Sequence, residues 1–242
     1  MRIAAILSAA SIAFLAWFAS ARAGDAATVN VLGFTPDGSV FAFEEYGVQD
    51  GSGFPYANRF YIQTSTDEFV AGTPIRVLLE REAASAEAAR AEAKTRGEMF
   101  FKDAALNPNR GNLVAFNAVT EYTADPYRIA ANPRPVFAPV DAPLEFRLEE
   151  FDMLPSDLCK GIGDVKGFRL VRIDSAPGGQ TRLLHEDKDI PSSRGCPEGY
   201  RLSGIQTFYP DAGDPVYAVL IAIRRYGFEG PDFRWIALTG QL

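Results

Sequence analysis

Histidine is nearly absent from this sequence: His185 is the only one in 242 residues. That excludes a metal centre built on several imidazoles and leaves any histidine-dependent triad resting on one side chain. Neither a G-x-S-x-G elbow nor a P-loop occurs, and the D-x-D-x-D-G pattern of a calcium loop is missing around Asp50. No cofactor and no metal is therefore expected. Cysteine is limited to Cys159 and Cys196, with neither C-x-x-C spacing nor an adjacent histidine, which disfavours a reactive thiol. Basic residues are in deficit, 24 Lys and Arg against 31 Asp and Glu. No basic cluster offsets this balance, so nucleic acid and anionic membrane surfaces are not expected partners. Beyond the N-terminus, no apolar run is long enough to span a bilayer.

The N-terminus itself reads as an export signal. Arg2 gives the positive start, Ile3 to Ala19 the apolar run, and Ala21-Arg22-Ala23 an A-x-A cleavage site. A signal over 1–23 implies a periplasmic or secreted protein beginning near Gly24, with no stable membrane anchor after cleavage. Loss of Arg2 and Arg22 leaves 22 basic against 31 acidic residues, a charge of −9. Export to an oxidising compartment favours joining Cys159 to Cys196. The chain-entropy model puts that bridge at up to ~4 kcal/mol.

Most of the remaining chain reads as strand. Runs rich in Val, Ile, Phe and Tyr, bounded by Gly, Pro, Asp and Ser, fall at 29–33, 39–46, 59–64, 75–79, 113–118, 144–151, 167–174, 181–185, 200–208, 216–225 and 233–238. The stretch from Glu80 to Leu106 is instead rich in helix formers, and Asn107-Pro108 ends it. It predicts one long α-helix held to a sheet by Met99, Phe100 and Phe101 at its C-terminal end. The fold class is thus mainly β, with antiparallel sheets arranged as a sandwich or a small, partial propeller, plus that helix. Residues 24–242 form a single β-rich domain. It is open to division into two pseudo-repeated halves joined by the helix (80–106) and a Pro-rich connector (125–143).

The suggestion of halves comes from an internal echo. Phe34, Pro36 and Asp37 match Phe208, Pro210 and Asp211, and Tyr46-Gly47 matches Tyr226-Gly227. Each copy runs turn, strand, Tyr-Gly, Gly-bearing loop, strand. The strands after the Pro-Asp turns are apolar on both pleat faces: Tyr217, Val219, Ile221 and Ile223 on one, Val216, Ala218 and Leu220 on the other. Such a strand belongs in the middle of the protein, covered on both sides. Glu44-Glu45 occupy the place of Arg224-Arg225, so these four residues are expected to pair across strands.

The segment "FTPDGSVFAFEEYG" resembles a blade segment of Tol-type β-propeller repeats. The fuller "EEYGVQDGSGFPYANRFYI", together with "GFEGPDFRWIALTG", resembles a bacterial predicted-secreted-protein family of unknown function. That resemblance implies export and brings no catalytic residues with it.

For function, the loop joining the first matched pair of strands is the leading candidate. Gln49, Asp50, Ser52, Phe54 and Tyr56 sit where Gly51 and Gly53 let the backbone approach a ligand. Glu229 and Asp232 belong to the corresponding loop of the second copy. Aromatics beside carboxylates and amides suit an envelope protein, a peptide or a glycan. The alternative use of the same aromatics is to pack beneath a well-made hairpin. A non-catalytic binding module of the cell envelope is the leading reading. The runner-up is a carboxylate-dependent, glycosidase-like hydrolase, for which Glu44, Glu45, Glu149, Glu150, Asp50 and Asp232 offer candidate pairs. His185 with Glu186, Asp187 and Asp189 reads as a charged hairpin tip.

Overall fold

Alternating apolar residues on long strands build a stack of sheets. The computed structural model describes residues 24–81, 83–174 and 178–242, so the proposed export signal lies outside the described residues. The first sheet runs β1 (Thr28–Phe34), β2 (Val40–Val48), β3 (Pro55–Gln63) and β4 (Glu68–Phe69), with β5 (Ile75–Leu78) also paired to β3. A second contains β6 (Asn112–Phe116), β11 (Pro197–Phe208), β12 (Val216–Arg225) and β13 (Asp232–Gln241), in the spatial order β13-β12-β11-β6. The third contains β7 (Arg128–Ala131), β8 (Leu144–Met153), β9 (Val165–Asp174) and β10 (Thr181–Glu186), in the order β10-β9-β8-β7. All the strand pairings in these sheets are antiparallel.

The second sheet lies between the other two, and β12 shows why. Tyr217, Val219, Ile221 and Ile223 share a core with Phe146, Leu148, Phe168 and Leu170 of the third sheet. Their neighbours Val216, Ala218, Leu220 and Ala222 share another with Phe34, Phe41, Phe43 and Phe60 of the first. Period-two alternation on one strand therefore feeds two cores, as its two apolar faces require. Burying each large apolar side chain contributes roughly 1.5–3 kcal/mol.

The expected long helix is two short ones, α1 (Ala86–Gly97) and α2 (Asp103–Leu106). Ser85, not Glu80, starts the first, its Oγ accepting from the Ala88 N–H at 3.2 Å. Gly97 ends it where the chain passes against Tyr61 and Arg59: a Cβ there would overlap the Tyr61 hydroxyl and lie 3.0 Å from Arg59 Cδ. The chain then turns so that Asp103 meets Arg59 in a two-pronged ion pair at 2.7 and 3.0 Å. Of the bulky residues just beyond α1, Met99 is 76% exposed, whereas Phe101 stacks on Tyr61 with ring centroids 5.5 Å apart and so anchors the segment that follows the helix. The helix itself lies on the sheet by the thin stripe of Ala89 and Ala93, which packs against Ala57, Val77 and Leu79, small residues giving close approach.

The two matched hairpins, β2–β3 and β12–β13, face each other across one core. At one end, Phe34 stacks on Phe208 with centroids 5.1 Å apart, and a Cβ on Gly38 would contact Val216, Pro210 and Phe208 at 3.4 to 3.7 Å. The expected charge pairing between them does not form. Glu44 accepts from Arg90 at 2.5 Å and sits 3.3 Å from Arg59. Arg224 reaches Glu198 at 3.8 Å and Arg225 reaches Asp232 at 3.5 Å. The hairpins stack face to face, so Glu44, Arg224 and Arg225 find ionic partners on their own sides, while Glu45 crosses to the Trp235 N–H and not to an arginine. Cys159 and Cys196 are joined, tying the turn before β9 to the start of β11 with Cα atoms 5.5 Å apart.

Candidate functional site

β13 is an edge strand, paired in a ladder with β12 alone. An exposed row of unpaired amides invites another chain. Here the outward-facing positions are closed one after another by groups from distant parts of the chain. Phe233 donates its N–H to Asp25 O at 2.8 Å and its carbonyl accepts from Ala27 N–H at 3.1 Å. Trp235 donates its N–H to Glu45 Oε2 at 2.7 Å. Thr239 donates to Asp67 Oδ1 at 2.6 Å, and the carbonyl of Gln241 accepts from Arg172 at 2.9 Å. The ladder alternates, so Ala237 points the same way. Among the described residues, no group reaches its N–H or carbonyl from that side.

Ala237 opens on a cavity of about 390 Å³. Its floor is Trp235 to Leu238; one wall is Phe60, Phe69, Arg76 and Leu78 of the first sheet; the other is His185, Pro191, Ser193 and Arg194 beside the third. Two further concavities continue along the same strand. One, of about 590 Å³, is lined by Asp232 and Arg234 with Gln49, Asp50, Ser52, Tyr226 and Phe228. The other, of about 260 Å³, is lined by Leu238 to Gln241 with Thr64 to Asp67. Together they make a trench along the free edge of the middle sheet.

The carboxylates that close the edge are electrostatically unusual. Glu45 is 3% exposed, accepts from Asn58 Nδ2 at 2.8 Å as well as from Trp235, and burial pushes its pKa up. Asp67 stands at a positive φ of 58°. Although the residue as a whole is exposed, its carboxyl reaches into the cleft to the Thr239 N–H and hydroxyl, and desolvation pushes its pKa up to about 6. At the head of the trench, Asp25 Oδ2 holds Arg234 at 2.6 Å and Oδ1 accepts from the Tyr56 hydroxyl at 3.2 Å. The Arg234 guanidinium lies 4.5 Å from the centroid of the Tyr56 ring. Burial raises the pKa of Asp25 and lowers that of Arg225, which Arg234 also repels.

The structure brings the two sequence-predicted loops together. Asp50 Oδ2 accepts from the Glu229 N–H at 2.5 Å, and Phe228 sits 2.9 Å from where a Gly51 Cβ would be, a position held at φ 80°. Gln49 lines both larger concavities, Tyr56 the central one, and Asp50, Ser52 and Asp232 the one at the head. Tyr56 and Asp232 are buried, serving the Asp25–Arg234 cluster. Phe54 and Glu229 line neither concavity. Of His185 and its neighbours, Glu186 and Asp189 are exposed as a charged tip requires, but Asp187 departs from it. Asp187 is buried and accepts from the Phe168 N–H, from Arg194 and, according to tautomer, from His185. Against the cost of burial, these bonds hold its pKa down. Sequence reading did not find Asp25, Asp67, Arg76, Arg194 or Arg234. Asp25 meets Arg234 across 209 residues and Asp67 meets Thr239 across 172, while Arg76 and Arg194 matter as cavity walls, and no local spacing signals either.

Comparison with known proteins supplies a family and nothing finer. A family model described as "Predicted secreted protein (DUF2259)" matches residues 42–241. No curated protein and no solved structure matches. The chain belongs to that family of predicted secreted proteins, and it is a periplasmic or secreted protein of mainly β structure.

Proposed function

We propose that this member of the secreted family is a non-catalytic binding module of the cell envelope whose ligand lies along the free edge of β13. One observation carries the reading: three concavities string along a single edge strand, and of the outward amides of Phe233, Trp235, Ala237 and Thr239 only that of Ala237 has no partner among the described residues. Ligand sites favour concave, mostly apolar walls with a few convergent polar groups. Phe60, Phe69, Leu78 and Trp235 supply the first, and Arg76, Gln49 and the open amide supply the second. The paired loops at the head, through Gln49, Asp50 and Ser52, extend the site.

A glycosidase-like hydrolase is less well supported. Such chemistry needs one carboxyl protonated and its partner ionised, both facing the bond to be broken. In the trench, Glu45 and Asp67 are both shifted toward the protonated form, and both are occupied as acceptors for β13 amides. The test is an amide NMR screen of defined peptides and oligosaccharides against the folded protein. Ligands that shift Trp235 to Leu238 together with Arg76 support the reading. Ligands that shift only surfaces away from β13, or that are cleaved during the titration, contradict it.

A further inference from the structure

The chemistry of the trench narrows its occupant. We infer that β13 is extended by an acidic peptide segment from a partner protein, pairing main chain to main chain at Ala237 with a carboxylate toward Arg76; this rests on the trench being the binding site.

A peptide main chain fits because the open feature is itself a piece of β-ladder. Ala237 offers one N–H, and the carbonyls of Trp235, Ala237 and Thr239 face the same way by the alternation of the strand. An added strand would take the Ala237 N–H on its own carbonyl and donate N–H groups to those oxygens. Main-chain bonds of this kind give affinity, and pockets for alternate side chains give selection. The flanking caps limit the length, since Glu45 and Asp67 already hold the amides at Trp235 and Thr239. A sugar has no comparable two-residue repeat of donor and acceptor.

Acidity follows from charge. The whole chain carries −7, yet the central cavity is lined by four arginines against two carboxylates. Three of the arginines are already held: Arg194 by Asp187 at 2.8 Å, Arg225 by Asp232 at 3.5 Å and Arg234 by Asp25 at 2.6 Å. Arg76 makes no ion pair within 4.0 Å among the described residues, its charge acting on buried Glu45 only from farther away, and it lies 5.5 Å from the Phe60 ring centroid. It is the cation left to meet a ligand. With Asp25, Asp187 and Asp232 counted beside Glu45 and Asp67 the cleft carries no net positive charge, so the selection rests on Arg76, whose guanidinium favours an anionic group over a cationic one.

The probes are acetyl-(Val-Asp)₃-Val-amide, its Lys-for-Asp analogue, and an oligogalacturonate, each titrated into the protein by calorimetry and amide NMR. The acidic peptide is expected to shift the Ala237 amide and slow its exchange. The lysine analogue should bind at least tenfold more weakly. Arg76→Gln, a surface change outside every core cluster, should weaken the acidic peptide about fivefold while leaving the fold's NMR spectrum intact. Equal binding of acidic and basic peptides overturns the inference, as does an Arg76→Gln variant that binds like wild type. Oligogalacturonate shifting Ala237 where the peptide does not would sink the peptide while leaving the trench standing. No shift along β13 with any probe would remove both.

Discussion

Two carboxyls decide how the edge of β13 behaves. Glu45→Ala would leave the Trp235 N–H and the Asn58 amide without acceptors in a buried place. An orphaned buried donor costs about 1–3 kcal/mol, so urea denaturation should show a loss of about 2 kcal/mol with little change in slope. Glu45→Gln keeps an acceptor for Trp235 and should lose less than half as much. Asp67 gives a pH prediction. Its carboxyl has a pKa of about 6 in the folded protein against 3.8 unfolded. The folded state therefore binds more protons between those values, and stability falls as pH climbs through the window. Asp67→Asn keeps an oxygen for Thr239 and removes the titration. Its Tm minus that of wild type should increase from pH 4 to pH 8; a difference that stays flat or decreases contradicts the assignment. Neither role was legible beforehand. Glu45 stands out in the sequence as a charge beside apolar residues, but its partner Trp235 lies 190 residues away, and Asp67 sits in an unremarkable turn.

At the level of elements, strands were largely readable and their ends were not. β12 occupies 216–225 as its two-faced apolar pattern requires, because periodicity and burial there agree. β7 was hidden inside the Pro-rich connector, and β4 is too short to carry a pattern. The helix was misjudged in length because good helix formers continue past Gly97, while tertiary contact with Tyr61 and Arg59 ends α1 there. This gives a prediction in which two effects oppose. Alanine is favoured over glycine in a helix interior by about 1 kcal/mol, but an added Cβ at Gly97 collides with the Tyr61 hydroxyl. Overpacking of that kind costs roughly 1–3 kcal/mol, so Gly97→Ala should lower stability, and Gly97→Ala/Tyr61→Phe should recover part of the loss. If Gly97→Ala raises Tm, the close approach is not there. The bridge between Cys159 and Cys196 belongs to this scale too. Cys159→Ala/Cys196→Ala should cost up to about 4 kcal/mol on the chain-entropy model, without altering the amide pattern of β13.

For the molecule as a whole, the order of layers creates the site. The first and third sheets cover both faces of the middle one, β13 included, and the trench runs along the outer edge of β13 between walls from those two sheets. Nothing in the local sequence encodes that trench, since it depends on how the three sheets stack. The sequence does show that the two matched hairpins are apolar enough to be interior. Their loops, joined by the Asp50 to Glu229 N–H bond, close the head of the trench. The most direct test is residue-resolved hydrogen exchange on the unliganded protein. The amides of β12 should exchange only through global unfolding, and those of Trp235 and Thr239 should be protected by Glu45 and Asp67, while Ala237 between them exchanges orders of magnitude faster. An Ala237 amide as slow as its two capped neighbours would mean that the edge is sealed and that no trench is open to a ligand.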